Sequence, residues 1–177
     1  MKTRIDLAQT IRSIPDFPKP GILFRDITTL IKDKQAFRAS VERIARKFAK
    51  KKIDYVVGVE ARGFIFGGAL AQKLHLGFIP VRKKGKLPWK TKAITYNLEY
   101  GSDTLEIHAD ALKPKDKVLI IDDLLATGGT VKAVADLLEA QGAKIIGIAF
   151  VIELVDLKGR EKLKKYPIVS LVKFEGE

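Results

Sequence analysis

The run Val118-Leu119-Ile120-Ile121-Asp122-Asp123-Leu124-Leu125-Ala126-Thr127-Gly128-Gly129-Thr130 decides the fold. Its four leading apolar residues suit a strand buried on both faces of a parallel sheet. Two adjacent carboxylates follow, then a turn of small residues rich in hydroxyls and glycine. A helical pattern opens directly after it. The turn formed by Ala126, Thr127, Gly128, Gly129 and Thr130 can gather several backbone N–H groups and two threonine hydroxyls around one phosphate at a helix N-terminus. Asp122 and Asp123 stand at the carboxyl end of the strand, where open α/β sheets bind ligands, and can accept hydrogen bonds from ribose hydroxyls. An ordinary strand–turn–helix with two capping aspartates is the plainer alternative. The order of strand, paired acid and Thr-Gly-Gly-Thr turn favours a sugar-phosphate site.

The flanking sequence supplies the rest of an α/β domain. Ile5, Ala8 and Ile11 predict a short helix over residues 3–14, and Pro15, Pro18, Pro20 and Gly21 then force an extended, turn-rich stretch. Phe37, Val41, Ile44, Ala45 and Phe48 fall at helical spacing and predict a helix over residues 34–50. Residues 55–59 read as a buried strand, followed by Glu60-Ala61-Arg62-Gly63 and a helix to about Leu74; residues 78–82 read as the next strand. Alternation over residues 93–108, around Tyr100-Gly101-Ser102-Asp103, predicts a β-hairpin projecting from the core. Residues 117–121 form a strand and 130–141 a helix stopped by Gly142. Residues 145–154 and 168–174 give two further strands. Strand and helix alternate from residue 53 to 152, which implies a parallel sheet with right-handed crossovers.

At 177 residues the chain is read as a single domain, residues 1–177, with 46% hydrophobic and 31% charged residues. No apolar run approaches a membrane span, and residues 1–10 lack the apolar centre and cleavage site of a secretory signal, so the cytoplasm is the expected location. The absence of cysteine excludes disulfides, thiolate metal sites and cysteine catalysis. His75 and His108 have no partners at metal-ligand spacing, and no Gly-x-x-x-x-Gly-Lys run suggests a P-loop ATPase.

The net charge of +12 raises nucleic-acid binding against a polyanionic small substrate. Lys47, Lys50, Lys51 and Lys52 end a predicted helix and complement its dipole, and Lys162, Lys164 and Lys165 read as another solvated helix end. The segment Arg82-Lys83-Lys84-Gly85-Lys86-Leu87-Pro88-Trp89-Lys90-Thr91-Lys92 differs: it is basic without any acid, in a Gly/Pro-containing stretch expected to be a mobile loop. High lysine content without cysteine is also compatible with heat adaptation.

The strand–Asp–Asp–turn motif resembles the 5-phosphoribosyl-1-pyrophosphate (PRPP) motif of the type I phosphoribosyltransferases. Six segments extend the resemblance, in order, over nearly the whole chain: residues 16–27 (Asp-Phe-Pro-Lys-Pro-Gly-Ile-Leu-Phe-Arg-Asp-Ile), 60–64, 85–88, 98–101, 122–130 and 157–163. Together they resemble the adenine-specific branch of that family. One departure is Thr29, where a proline is often seen.

The resemblance implies a type I phosphoribosyltransferase fold, mostly parallel and twisted, flanked by helices. It also implies an N-terminal base-binding segment (about 1–32), a core (about 33–155) and a flexible β-hairpin hood (about 82–108). It implies Mg²⁺ held mainly by PRPP with no direct protein metal ligand, the substrates adenine and PRPP, the products AMP and pyrophosphate, and a homodimer. The phosphate loop would be Ala126–Thr130, with Asp122 and Asp123 on the ribose. Pyrophosphate would fall to Ala61, Arg62, Arg82, Lys83, Lys86 and Tyr100, with the hood closing to exclude water. Phe24 and Leu154 would sandwich adenine, and Arg25 backbone groups would read its amine edge. Glu99 would be the acid/base group at the imidazole nitrogens, although by itself it reads equally as a solvated hairpin carboxylate. A sibling enzyme using hypoxanthine, guanine, xanthine or orotate is the nearest rival. A nucleic-acid-binding regulator that kept the fold as a PRPP sensor is the rival from another class; with no segment left for a DNA-reading module, no nucleic-acid partner and no membrane partner are expected.

Overall fold

In the computed structural model, residues 5–97 and 101–176 are described. A 3-10 turn at Ala8–Thr10 precedes an antiparallel ribbon of Arg12–Ile14 (β1) and Phe24–Asp26 (β2). Helices Thr28–Lys32 (α1) and Lys34–Phe48 (α2) lead into strand Tyr55–Val59 (β3), helix Gly63–Leu74 (α3) and strand Gly77–Lys83 (β4). An antiparallel hairpin, Thr91–Asn97 (β5) and Ser102–His108 (β6), comes next. The chain continues through Lys117–Leu125 (β7), Gly129–Glu139 (α4), Lys144–Leu154 (β8), Gly159–Leu163 (α5) and Ile168–Phe174 (β9).

The main sheet has seven strands in the order β5-β6-β4-β3-β7-β8-β9, parallel from β4 to β9. Period-two alternation along β7 divides its apolar run between two cores. Val118 and Ile120 join Val57, Ile148 and the α4 residues Val131, Val134 and Leu138 on one face. Leu119 and Ile121 join Val56 and Val151, with Phe48 of α2 and Phe66 and Leu70 of α3, on the other. Each such side chain stabilises the fold by roughly 1.5–3 kcal/mol relative to exposure. Helix α2 begins where the Asp33 carboxylate accepts the Gln35 and Ala36 N–H groups at 2.8 and 2.9 Å, and its buried stripe includes Ala36, Val41, Ile44 and Phe48.

This topology places the site. From β3 the chain runs outward to β4, and from β7 it runs the opposite way to β8 and β9. The helices that follow β3 and β7 therefore lie on opposite faces, and a crevice opens between the carboxyl ends of these two adjacent strands.

Four expectations change. The apolar spacing of residues 3–14 yields a 3-10 turn and then β1: Leu7 and Ile11 are buried, but the backbone after Thr10 pairs with β2 instead of continuing a helix. The hairpin is continuous with the main sheet: β6 pairs with β4 through Arg82↔Glu106, and Leu105 and Ile107 are core residues. Strand pairing takes both ends of the basic segment, leaving residues 84–90 as the loop. Strand β7 runs on to Leu125, so Asp122 and Asp123 lie within its last turns of pleat.

Candidate active site

A cavity of ≈ 360 Å³ opens at the β3/β7 crevice, lined by Glu60, Arg62, Lys83, Tyr96, Asp103, the Asp122–Asp123 pair and the whole 126–130 turn. The structure thus brings together the predicted phosphate loop, ribose acids and two of the pyrophosphate cations. The loop is built for backbone donation. Gly128 sits at φ +76°, in the left-handed region, and precedes α4, whose first N–H groups have no partner within the helix. Tyr96 Oη lies 3.4 Å from Thr130 Oγ1, joining the hairpin to the loop.

The paired aspartates differ in state. Asp123 is buried and ion-paired with the Arg62 guanidinium through Nε and Oδ2. Burial, then repulsion from Asp123, raises the pKa of Asp122 well above the usual carboxylate value. Its Oδ1 accepts the Asp123 N–H at 2.9 Å. Gly63 permits the packing behind them: a Cβ there would stand 2.9 Å from Asp122 Oδ1 and 3.0 Å from the Ile121 carbonyl.

Cations and carboxylates alternate around the rim. Arg82 grips Glu60 with two prongs, Nη2–Oε1 at 3.0 Å and Nε–Oε2 at 3.2 Å, and a further arm donates to the Lys86 carbonyl at 3.0 Å. The Lys83 N–H also donates to Glu60, at 3.0 Å, while Lys83 Nζ meets Asp103 Oδ2 at 2.9 Å. The Arg82 hydrogen bond is the main influence holding Glu60 below its ordinary pKa, and Lys83 does the same for Asp103. Ala61 is exposed beside Arg62, and the Lys86 side chain points to solvent beyond the cavity lining.

The base segment is anchored next to this rim. Phe24 is half-buried, 5.2 Å edge-on from Phe17, and the Arg62 guanidinium lies 5.9 Å from its ring centroid. The Arg25 side chain points away, donating to Ser13 Oγ at 2.6 Å and stacking 3.9 Å from the Phe174 ring centroid. Phe174 is the β9 partner of Leu154, so the base segment, Arg25 and Leu154 meet at the same end of the sheet. Asp26 fixes β2 by accepting Arg12 Nη2 at 2.6 Å and the Thr28 N–H at 2.9 Å. The Thr28 backbone bond chiefly, then its hydroxyl and Arg12, lower the Asp26 pKa to about 2. Thr29 earns its place in this brace: its hydroxyl donates to the Thr10 carbonyl at 2.7 Å and accepts the Arg12 N–H at 3.2 Å.

Glu99 and Tyr100 lie outside the described residues. Sequence reading overlooked Glu60, Asp103 and Tyr96 as lining residues. Hairpin pairing held the signal, since Tyr96↔Asp103 and Ile94↔Leu105 share one face and Leu105 is core. The lining carboxylates are hard oxygen donors, yet among the described residues no group of three or more His, Cys, Asp or Glu forms a cation cage. Such donors fit a hard divalent cation or the water bound to it.

A nest of backbone donors, an acid pair and a cation-rich rim at the switch point of a parallel sheet define a phosphoribosyl-binding transferase domain. Residues 28–176 match the family model described as phosphoribosyl transferase domain. The adenine phosphoribosyltransferase of Trichormus variabilis is 58% identical over 172 residues, covering 96% of this chain and 100% of that protein. That of Symbiobacterium thermophilum is 56% identical over 170 residues, with the same coverage. The crystal structure of the enzyme from Thermoanaerobacter pseudethanolicus superposes with a TM-score of 0.93 at 51% identity, covering 97% of this chain and 100% of that one. The Saccharomyces cerevisiae enzyme, solved with an imino-altritol bisphosphate and adenine, gives a TM-score of 0.88 at 41% identity, covering 94% and 96%. This chain belongs to the adenine phosphoribosyltransferase family.

Proposed function

We propose that this chain transfers the 5-phosphoribosyl group of PRPP to adenine, giving AMP and pyrophosphate in purine salvage. The observation that carries the reading is the convergence of the 126–130 turn, Asp122, Asp123 and Arg62 on one strand-end cavity. The 5-phosphate takes the backbone N–H groups of the turn with the Thr127 and Thr130 hydroxyls. Asp122 and Asp123 hold the ribose hydroxyls. As the anomeric C–O bond breaks, its electron pair leaves with pyrophosphate, and Arg62, Arg82 and Lys83 stabilise the departing charge, a role that the family resemblance extends to Ala61, Lys86 and Tyr100. To do so Arg62 and Lys83 loosen from Asp123 and Asp103, so the carboxylates act as counter-charges that the polyphosphate replaces.

Adenine lies between Phe24 and Leu154, its amine edge against the Arg25 backbone. Its imidazole nitrogen forms the new bond to the anomeric carbon, and Glu99 accepts the proton released from the ring. Mg²⁺, held mainly by PRPP, would supply charge neutralisation on the pyrophosphate; Asp122, Asp123, Glu60 and Asp103 line the cavity as groups that could accept from its waters. The hairpin walls the site, and the 84–90 loop closes over it to exclude water. The reading extends to a homodimer working in the cytoplasm. Among the described residues no helix is long and apolar enough to cross a membrane.

Product analysis with adenine, PRPP and Mg²⁺, in competition with hypoxanthine, guanine and orotate, tests this. Adenine-selective AMP formation that collapses in Glu99→Ala supports substrate and acid/base group together. Selective turnover in an unimpaired Glu99→Ala variant removes that role from Glu99. PRPP binding without product from any base, with a salt-sensitive shift of a nucleic-acid probe, would favour a regulator.

A further inference from the structure

The 157–163 segment has no part in the mechanism above, yet its glycine touches the phosphate loop backbone to backbone. A Cβ on Gly128 would stand 2.5 Å from the Gly159 carbonyl oxygen, and a Cβ on Gly159 would stand 2.2 Å from the Ala126 carbonyl oxygen and 3.1 Å from the Gly128 nitrogen. The next residue, Arg160, is pinned from two strands. Its Nε and Nη2 meet Glu153 Oε1 and Oε2 of β8 at 2.5 and 2.7 Å, and Nη2 also donates to Ser170 Oγ of β9 at 3.1 Å. The Glu153 side chain is only 5% exposed. Glu153 is the ladder partner of Leu125, the residue immediately before the loop.

Resting on the reading of residues 126–130 as the 5-phosphate loop, we propose that Arg160 is a positioning residue that holds Gly159 against that loop and sets its amide donors. The two-pronged pair fixes the guanidinium in both direction and distance, which a lysine ammonium does not. Glu153 ties the clamp to the strand that delivers the loop, so loop entry and Gly159 share one reference. Arg160 itself does not line the cavity. A displacement of about 1 Å in such a donor set is enough to weaken productive binding severely.

Two partial ligands separate this role from general stability. Ribose 5-phosphate reports the loop, and Mg²⁺-pyrophosphate reports the cation rim. Calorimetric titration of Arg160→Lys, and of the charge-neutral Glu153→Gln/Arg160→Gln pair in case the single variant folds poorly, is expected to weaken ribose 5-phosphate about tenfold, or ~1.4 kcal/mol. Pyrophosphate affinity stays within about twofold, and KM for PRPP rises more than kcat falls. Unchanged ribose 5-phosphate affinity, or equal weakening of both ligands, overturns the proposal. Thr127→Ala and Thr130→Ala in the otherwise natural chain are titrated alongside. If they too leave ribose 5-phosphate binding unmoved, the loop reading falls and the clamp with it; if they weaken it while Arg160→Lys does not, the clamp alone falls.

Discussion

Arg62→Ala removes one group from two settings at once. In the structure the Arg62 side chain is 47% exposed and the Asp123 carboxylate that it meets is 8% exposed. Losing the guanidinium therefore leaves a nearly buried carboxylate without its charged partner, a penalty of about 1–3 kcal/mol in stability. Removing the Arg62 field also raises the Asp122 pKa further. The kinetic cost is larger. In the proposed reaction Arg62 faces a pyrophosphate that gains charge as the anomeric bond breaks, and deletion of one preorganised donor to developing charge typically costs 10²–10³ in rate, about 2.7–4 kcal/mol. Steady-state kinetics of Arg62→Ala are expected to show kcat/KM for PRPP down by about that factor. Denaturant unfolding is expected to show only the smaller stability loss, so the two ledgers separate. Adding Asp123→Asn should recover stability without recovering turnover. An Arg62→Ala enzyme with kcat/KM within about threefold of the parent would refute the assignment of Arg62 to the leaving group.

Three other perturbations have defined outcomes. Gly128→Ala must hold a left-handed φ and push its methyl group into the Gly159 carbonyl, so KM for PRPP should rise by an order of magnitude or more and Tm should fall; normal PRPP saturation would contradict the loop geometry. Phe24→Ala should raise KM for adenine at least tenfold while leaving KM for PRPP nearly unchanged, and equal effects on both would remove Phe24 from the base site. Asp26 has a folded pKa near 2 against an ordinary 3.8, so its carboxylate stabilises the fold above about pH 4, and that contribution disappears as pH falls toward 2. The Tm difference between the natural chain and Asp26→Asn should accordingly be full at pH 6 and vanish near pH 2; a pH-independent difference would contradict the Asp26–Thr28–Arg12 brace.

The parallel sheet was legible because its evidence is local: buried β-branched runs, each followed by a helix with an apolar stripe, leave few alternatives. The strand-end acids and the loop were legible for a similar reason, since adjacent residues carry that chemistry. What escaped depends on contacts between distant segments. Nothing near Gly159 announces that it abuts Gly128, and the pairing of Arg160 with Glu153 appears only when α5 turns back against the end of β8. Glu60 and Asp103 are paired with Arg82 and Lys83, partners in other segments that no local pattern assigns to them. The first residues misled because Ile5, Ala8 and Ile11 have a helix-like spacing, yet Leu7 and Ile11 are buried by a tight turn and a strand that borrows its partner from residues 24–26.

The most direct test of the central claim is a crystal structure of this chain soaked with AMP. The account predicts the phosphate on the backbone amides of residues 127–130, the ribose hydroxyls at Asp122 and Asp123, and the adenine ring against Phe24. Density for the phosphate elsewhere, or for the purine away from the Phe24 segment with the 126–130 turn unoccupied, would contradict it.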